Sequence, residues 1–126
     1  MIQEFLTKAH ENLDVAKLTL EYGAYNASAN RSYYASFRAA IAALADAGIK
    51  KQGYKIPHDW VQSQFSGVLI QQRKLYAGSM KSYLMDMQAL RDDADYSTDT
   101  ISKINAERQF KKANEFVQSI TQRIQP

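Results

Sequence analysis

Apolar residues recur at helical spacing along almost the whole chain. Ile2, Phe5, Leu6, Ala9, Leu13, Ala16 and Leu20 form one stripe, broken at Gly23. A second helix is predicted from about Ala24 to Ala47, stopping at Gly48. Its apolar stripe is Tyr33, Tyr34, Phe37, Ile41 and Leu44, with many alanines around it. A third begins near Pro57, a favoured first-turn residue, and carries Trp60, Val61, Phe65, Val68 and Leu69. A fourth is expected after Gly78 with Ser79 as N-cap, and presents Met80, Tyr83, Leu84, Met87, Leu90 and Ala94. A fifth is expected from about Asp99, with Ile101, Ile104, Phe110, Ala113, Val117, Ile120 and Ile124. No segment alternates with period two, so no strand is predicted. The fold expected is all-α, an antiparallel up-down bundle of four to five helices, with residues 1–126 as one domain. The small residues of helix two let neighbours approach closely, which makes it the central helix.

Two stretches break the apolar pattern. Arg91 falls in the middle of the fourth stripe and Asp95 at its edge, while Asn26 and Asn30 share the stripe of helix two. A charge aimed at a helical core needs a partner or a ligand. Arg91 is therefore expected to point into a cleft shared with helix two, near Asn30 or Asp95. Two readings stand side by side. In one, Arg91, Asp95 and Tyr96 form an internal ion-pair network pinning helix four to helix two. In the other, Arg91 binds a phosphate or stabilises a developing negative charge. Arg31 and Arg38 project from the flank of helix two, giving a polar floor with a cationic rim. The ligand-binding candidates are Asn26, Asn30, Arg31, Tyr34 and Asp95.

Composition narrows the chemistry. The chain has 126 residues, is 45% hydrophobic and carries a formal net charge of +3. That mild basicity permits contact with nucleic acid. There is no cysteine, so disulfides, thiol nucleophiles and cysteine-ligated metals are excluded. No apolar run is long enough to cross a bilayer, and Met1-Ile-Gln-Glu-Phe-Leu has no signal-peptide pattern, so a cytoplasmic protein without membrane contact is expected. Neither a phosphate-binding glycine loop nor a Gly-x-Ser-x-Gly elbow occurs. The two histidines, His10 and His58, lack metal-ligand spacing, so no metal and no cofactor is expected. His10 reads as structural. His58 follows Pro57 in a first turn, and reads either as a surface residue or as an acid/base group. The loop Ile49-Lys-Lys-Gln-Gly-Tyr-Lys-Ile56 offers Lys50, Lys51, Tyr54 and Lys55, which read either as a solvated loop or as a grip on a nucleic-acid backbone.

Three segments resemble the HEPN domain family (higher eukaryotes and prokaryotes nucleotide-binding), in its small prokaryotic form. Asn30-Arg-Ser-Tyr-Tyr-Ala-Ser-Phe-Arg-Ala-Ala40 resembles the family's Arg-x-Tyr-Tyr-Ala-x-Phe-x-Ala-Ala helix. His58-Asp-Trp-Val-Gln-Ser-Gln-Phe65 resembles its histidine-led third helix. Leu90-Arg-Asp-Asp-Ala-Asp-Tyr96 resembles the Leu-Arg-x-x-Ala-Asp-Tyr stretch closing the fourth. The resemblance implies a helical bundle, a homodimer, and an RNA or nucleotide ligand. It further implies metal-independent endoribonuclease activity in many members, and for some a toxin role paired with a small nucleotidyltransferase antitoxin. The family's usual motif is an arginine followed, after four to six residues, by a histidine. Here Arg91 matches the arginine, but Tyr96, Ser97 and Thr98 stand at the three histidine positions. The candidate catalytic set is thus Arg91, Tyr96 and His58. An ordinary tyrosine, with a pKa of about 10, is a poor base at neutral pH. Weak or absent RNase activity is therefore expected, with binding retained. The alternative is a non-catalytic protein-interaction module with a polar cleft. Val15 and Leu18, opposite the first stripe, and the alanines of helix two are expected to be dimer surface.

Overall fold

The structure is a computed structural model. It describes residues 1–125 other than Gln52, Tyr54, Ser97 and Asp99, and the side chain of Ala94 also lies outside it. The elements are α1 (Ile2–Tyr22), α2 (Tyr25–Asp46), α3 (His58–Gln64), a π-helical continuation (Phe65–Gln72), a 3-10 turn (Gly78–Ser82), α4 (Tyr83–Tyr96) and α5 (Lys103–Ile124). The fold is all-α, an antiparallel bundle with no strand among the described residues.

The predicted stops of α1 and α2 have clear causes. Gly23 adopts φ +94°, and the N–H groups of Gly23 and Ala24 both turn back onto the Thr19 carbonyl. Gly48 adopts φ +80°, and Ile49 N–H reaches the Leu44 carbonyl at 2.9 Å. A residue with a Cβ resists that left-handed backbone, so each glycine ends its helix.

Helix α2 is the axis of the molecule, packing against α1, α4 and α5. Ala29, Ala35, Ala39, Ala40, Ala42 and Ala43 are at most 1% exposed. With so little side-chain volume, α2 is approached closely from several sides. The Ser28 hydroxyl, fully buried, donates to the Ala16 carbonyl across the α1–α2 contact at 2.8 Å. Beyond α2 the core is built on Leu6, Phe65, Leu69, Met87, Phe116 and Ile120, with the Phe65 and Phe116 rings 5.0 Å apart.

Four expectations are corrected. Helix four starts at Tyr83 rather than Ser79; residues 78–82 wind as a 3-10 turn with no side-chain cap, and it is this turn that buries Met80. The start expected for helix five, Asp99, lies outside the described residues, and the helix starts at Lys103. Ile101 is buried ahead of it in non-helical backbone, its N–H taken by Asn26 Oδ1 at 2.8 Å, and the Ser102 hydroxyl then caps the helix by accepting Asn105 N–H. Ile104 is 60% exposed, because the buried face of α5 runs through Ala106, Gln109, Ala113, Phe116, Val117 and Ile120. Most of the α2 alanines are covered by the chain's own helices, while Ala27 is exposed and Ala45 half-buried. Val15 and Leu18 are exposed as expected, and Tyr22 extends the same face of α1.

Candidate functional site

From Asn30 to Leu44, α2 is buried on every side except at Asn30, Arg31, Tyr34 and Arg38. Those positions share one face at helical spacing. A helix enclosed by its neighbours therefore opens along a single window, and two arginines and a tyrosine fill it. Asn12 on α1 and Arg91 on α4 close its sides. Asn12, Asn30, Arg31, Tyr34, Arg38 and Arg91 together line a cavity of about 400 Å³.

Tyr34 is the centre of this cavity. Its ring has Arg31, Arg38 and Arg91 guanidinium carbons 5.1, 5.9 and 5.2 Å from its centroid, within cation–π range. Its hydroxyl accepts a hydrogen bond from Arg91 Nη2 at 2.9 Å.

The three arginines are held in different ways. Arg91 donates from Nη1 to Asp92 Oδ1 at 3.1 Å, and its Nε lies 3.1 Å from Asp95 Oδ2, an ion-pair contact outside hydrogen-bond geometry. Burial by itself would lower the Arg91 pKa. Tyr34, Asp95, Tyr96 and Asp92 outweigh that and push it up, so the group stays charged. Arg31 is held only by neutral oxygens: Nη1 donates to Asn12 Oδ1 at 3.0 Å, and Nε and Nη2 both donate to Asn30 Oδ1. Arg38 lies over the Tyr34 and Phe37 rings and makes no ion pair among the described residues. Asn30 ties the two walls together, since its Nδ2 donates to Asp95 Oδ2 at 3.0 Å.

His58, in the first turn of α3, joins this cluster from below. Its ring stacks on Phe37 at 4.3 Å and meets the Tyr34 ring edge-on at 6.2 Å. Its Nδ1 is hydrogen-bonded to the hydroxyl of the fully buried Tyr33. Burial pushes the Tyr33 pKa up to about 12, so that hydroxyl keeps its proton. Gln62, farther along α3, donates to Gln88 on α4. Neutral His58 is a donor at one ring nitrogen and an acceptor at the other, and its tautomer decides which role faces Tyr33. Burial first, then the Arg91 and Arg38 charges, lower the His58 pKa and favour that neutral form.

The remaining candidates fall elsewhere or at the margin. Asp95 stands beside the cavity as a partner of Arg91. Tyr96, at the end of α4, is 78% exposed with Arg91 5.9 Å from its ring centroid. Asn26 is not in the cluster; it binds the backbone of Ile101 and lines a different cavity with Gly23 and Thr100. Lys50 and Lys51 are exposed and flank an apolar cavity with Leu44 and Trp60, at the other end of α2. Lys55 is exposed, and Tyr54 lies outside the described residues. His10 is tied to Thr121 on α5, a structural bond. Asn12, Tyr33 and Gln62 were not singled out as site residues from the sequence. Asn12 shows no signal there beyond adjacency to core Leu13, and Tyr33 is masked by its place on the apolar stripe. No group of three acidic or histidine side chains that could hold a metal occurs among the described residues, nor is any described helix long and apolar enough to cross a membrane.

The site is thus an arginine-lined, tyrosine-centred cavity on the central helix of an all-α bundle. Residues 2–124 match the family model of the HEPN domain, nearly the whole chain, and the protein is a member of the HEPN family. No curated protein matches it closely enough to count as a relative. Family membership supports a nucleotide- or RNA-related role in general.

Proposed function

We propose that this HEPN protein binds RNA or a nucleotide in the Asn12–Asn30–Arg31–Tyr34–Arg38–Arg91 cavity, and that it cleaves RNA weakly or not at all. The observation that carries the reading is the window in α2: between Asn30 and Leu44 only Asn30, Arg31, Tyr34 and Arg38 escape full burial. Guanidinium groups suit phosphate, and the Tyr34 face suits a base or ribose.

The expectation of weak cleavage rests on His58 and Tyr96. In-line attack by a ribose 2′-hydroxyl needs a base with a free lone pair, and needs stabilisation of the charge that builds on the phosphate. Arg91 could supply the second, held by Asp95 and through it by Asn30. For the first, His58 has its Nδ1 engaged by the buried Tyr33 hydroxyl, while Tyr96 is an exposed phenol. The test is incubation of the purified protein with structured RNA in EDTA, with Arg91→Ala as control and binding measured in parallel. Binding without cleavage fits the proposal. Robust cleavage that Arg91→Ala abolishes refutes the weak-cleavage half, and absence of binding refutes the whole.

The wider setting belongs to the same proposal: a cytoplasmic homodimer that acts as the toxin-like component beside a nucleotidyltransferase antitoxin. The exposed Val15, Leu18 and Tyr22 on one face of α1 support a protein partner there. That face equally favours the second reading, a non-catalytic interaction module. Light scattering at tens of micromolar protein, and co-purification with a co-expressed nucleotidyltransferase, separate the two.

A further inference from the structure

The three arginines of the cavity are not equivalent. Arg91 meets two carboxylates, Asp92 and Asp95, so its charge is answered within the protein. Arg31 is oriented by three hydrogen bonds, all to amide oxygens of Asn12 and Asn30. Amides fix a guanidinium in place without neutralising it, whereas carboxylates do both. Arg38 meets only aromatic faces among the described residues. Two positive charges on one face of α2, one helical turn on either side of Tyr34, are thus left for a ligand to answer.

The surroundings restrict what that ligand can be. The α4 wall continues past Arg91 as Asp92, Asp93 and Asp95, which repels a polyanionic chain running that way. The exposed lysines Lys50 and Lys51 stand by a separate cavity at the C-terminal end of α2. An internal phosphodiester carries one charge and needs an exit on both sides. A phosphate monoester carries about two charges at neutral pH and needs an exit on one side only.

Resting on the nucleotide- or RNA-binding reading, we propose that the Arg31–Arg38 pair is the binding site for a terminal phosphate monoester, of an RNA end or a free nucleotide, and that Arg91 is a positioning residue of the α4 wall.

The test compares one short oligoribonucleotide bearing a 5′-phosphate, a 3′-phosphate or no phosphate, by fluorescence anisotropy with the full chain. At least one phosphorylated form is expected to bind about tenfold tighter than the unphosphorylated one, the worth of roughly one charge-assisted hydrogen bond. Arg31→Gln and Arg38→Gln should each erase that difference, and Lys50→Gln, beside the separate cavity, should keep it. Circular dichroism of each variant shows whether a lost preference is a lost contact or a lost fold. Competition by a nucleoside 5′-monophosphate at equal potency supports a free nucleotide as the source, and failure to compete supports an RNA end. Equal binding of all three RNAs would overturn the inference while leaving the RNA-binding reading intact. So would a phosphate preference that survives Arg31→Gln and Arg38→Gln. No binding of any probe overturns both.

Discussion

Replacing Arg91 by Gln removes its bond to Tyr34 on α2 and its ion pairs with Asp92 and Asp95 on its own helix. The lost hydrogen bond to the Tyr34 hydroxyl is charge-assisted, and Arg91 is only 16% exposed, so that bond contributes about 1.5 kcal/mol. The two carboxylate partners are themselves 48% and 31% exposed, so solvent screening leaves each pair at no more than about 0.5 kcal/mol. The variant should lose about 2 kcal/mol altogether, a fall in Tm of about 8 °C for a domain of this size. Arg31→Gln and Arg38→Gln are expected to cost less than about 1 kcal/mol each, because both sites are partly open to water and each change relieves repulsion among three guanidinium groups. Thermal unfolding by circular dichroism, supported by urea titration, measures all three. A double-mutant cycle with Tyr34→Phe should show about 1 kcal/mol of coupling to Arg91 and little to Arg38. If Arg91→Gln melts with the wild type, or Arg31→Gln falls as far as Arg91→Gln, the division between a structural and a ligand-facing arginine is wrong.

Other expectations concern single contacts. Because His58 has a lowered pKa in the folded state, the unfolded chain takes up the proton more readily below the ordinary histidine value of about 6.5. Stability should therefore fall as pH drops through about 6.5 toward the folded value, and His58→Gln should flatten that part of a Tm–pH curve. Tyr33→Phe removes the hydroxyl bound to Nδ1, so the His58 tautomer balance should change, read from imidazole NMR signals across a pH titration. Ser102→Ala should cost about 1 kcal/mol by leaving Asn105 N–H uncapped, with faster amide exchange confined to the first turn of α5.

The helical architecture was legible because the apolar residues keep one period and glycine marks the first two stops. Central α2 was legible from its alanines, since small residues on many faces suit only a helix enclosed by others. The starts of α4 and α5 were not. One depends on a 3-10 turn that buries Met80, and the other on a bond from Asn26, 75 residues earlier in sequence. The meeting of Arg91 with Tyr34 and Asp95 could be anticipated, because a charge on an apolar stripe must find partners. The role of Asn26 could not, because the same helical phase that puts Asn30 in the cavity puts Asn26 one turn away, beside the segment entering α5. Asn12 and Tyr33 escaped notice for a related reason. Periodicity shows which face of a helix turns inward, but not which neighbour a polar side chain meets there.

The most direct test of the arginine cavity as the binding site is a two-dimensional 15N NMR titration with an oligoribonucleotide, resolving both backbone amides and arginine Nε–H signals. The cavity predicts that shifts concentrate at Asn12, Asn30, Arg31, Tyr34 and Arg38 and leave Lys50, Lys51 and Lys55 unmoved. Shifts confined to the lysine loop, with the arginine side-chain signals unchanged at saturation, would contradict it.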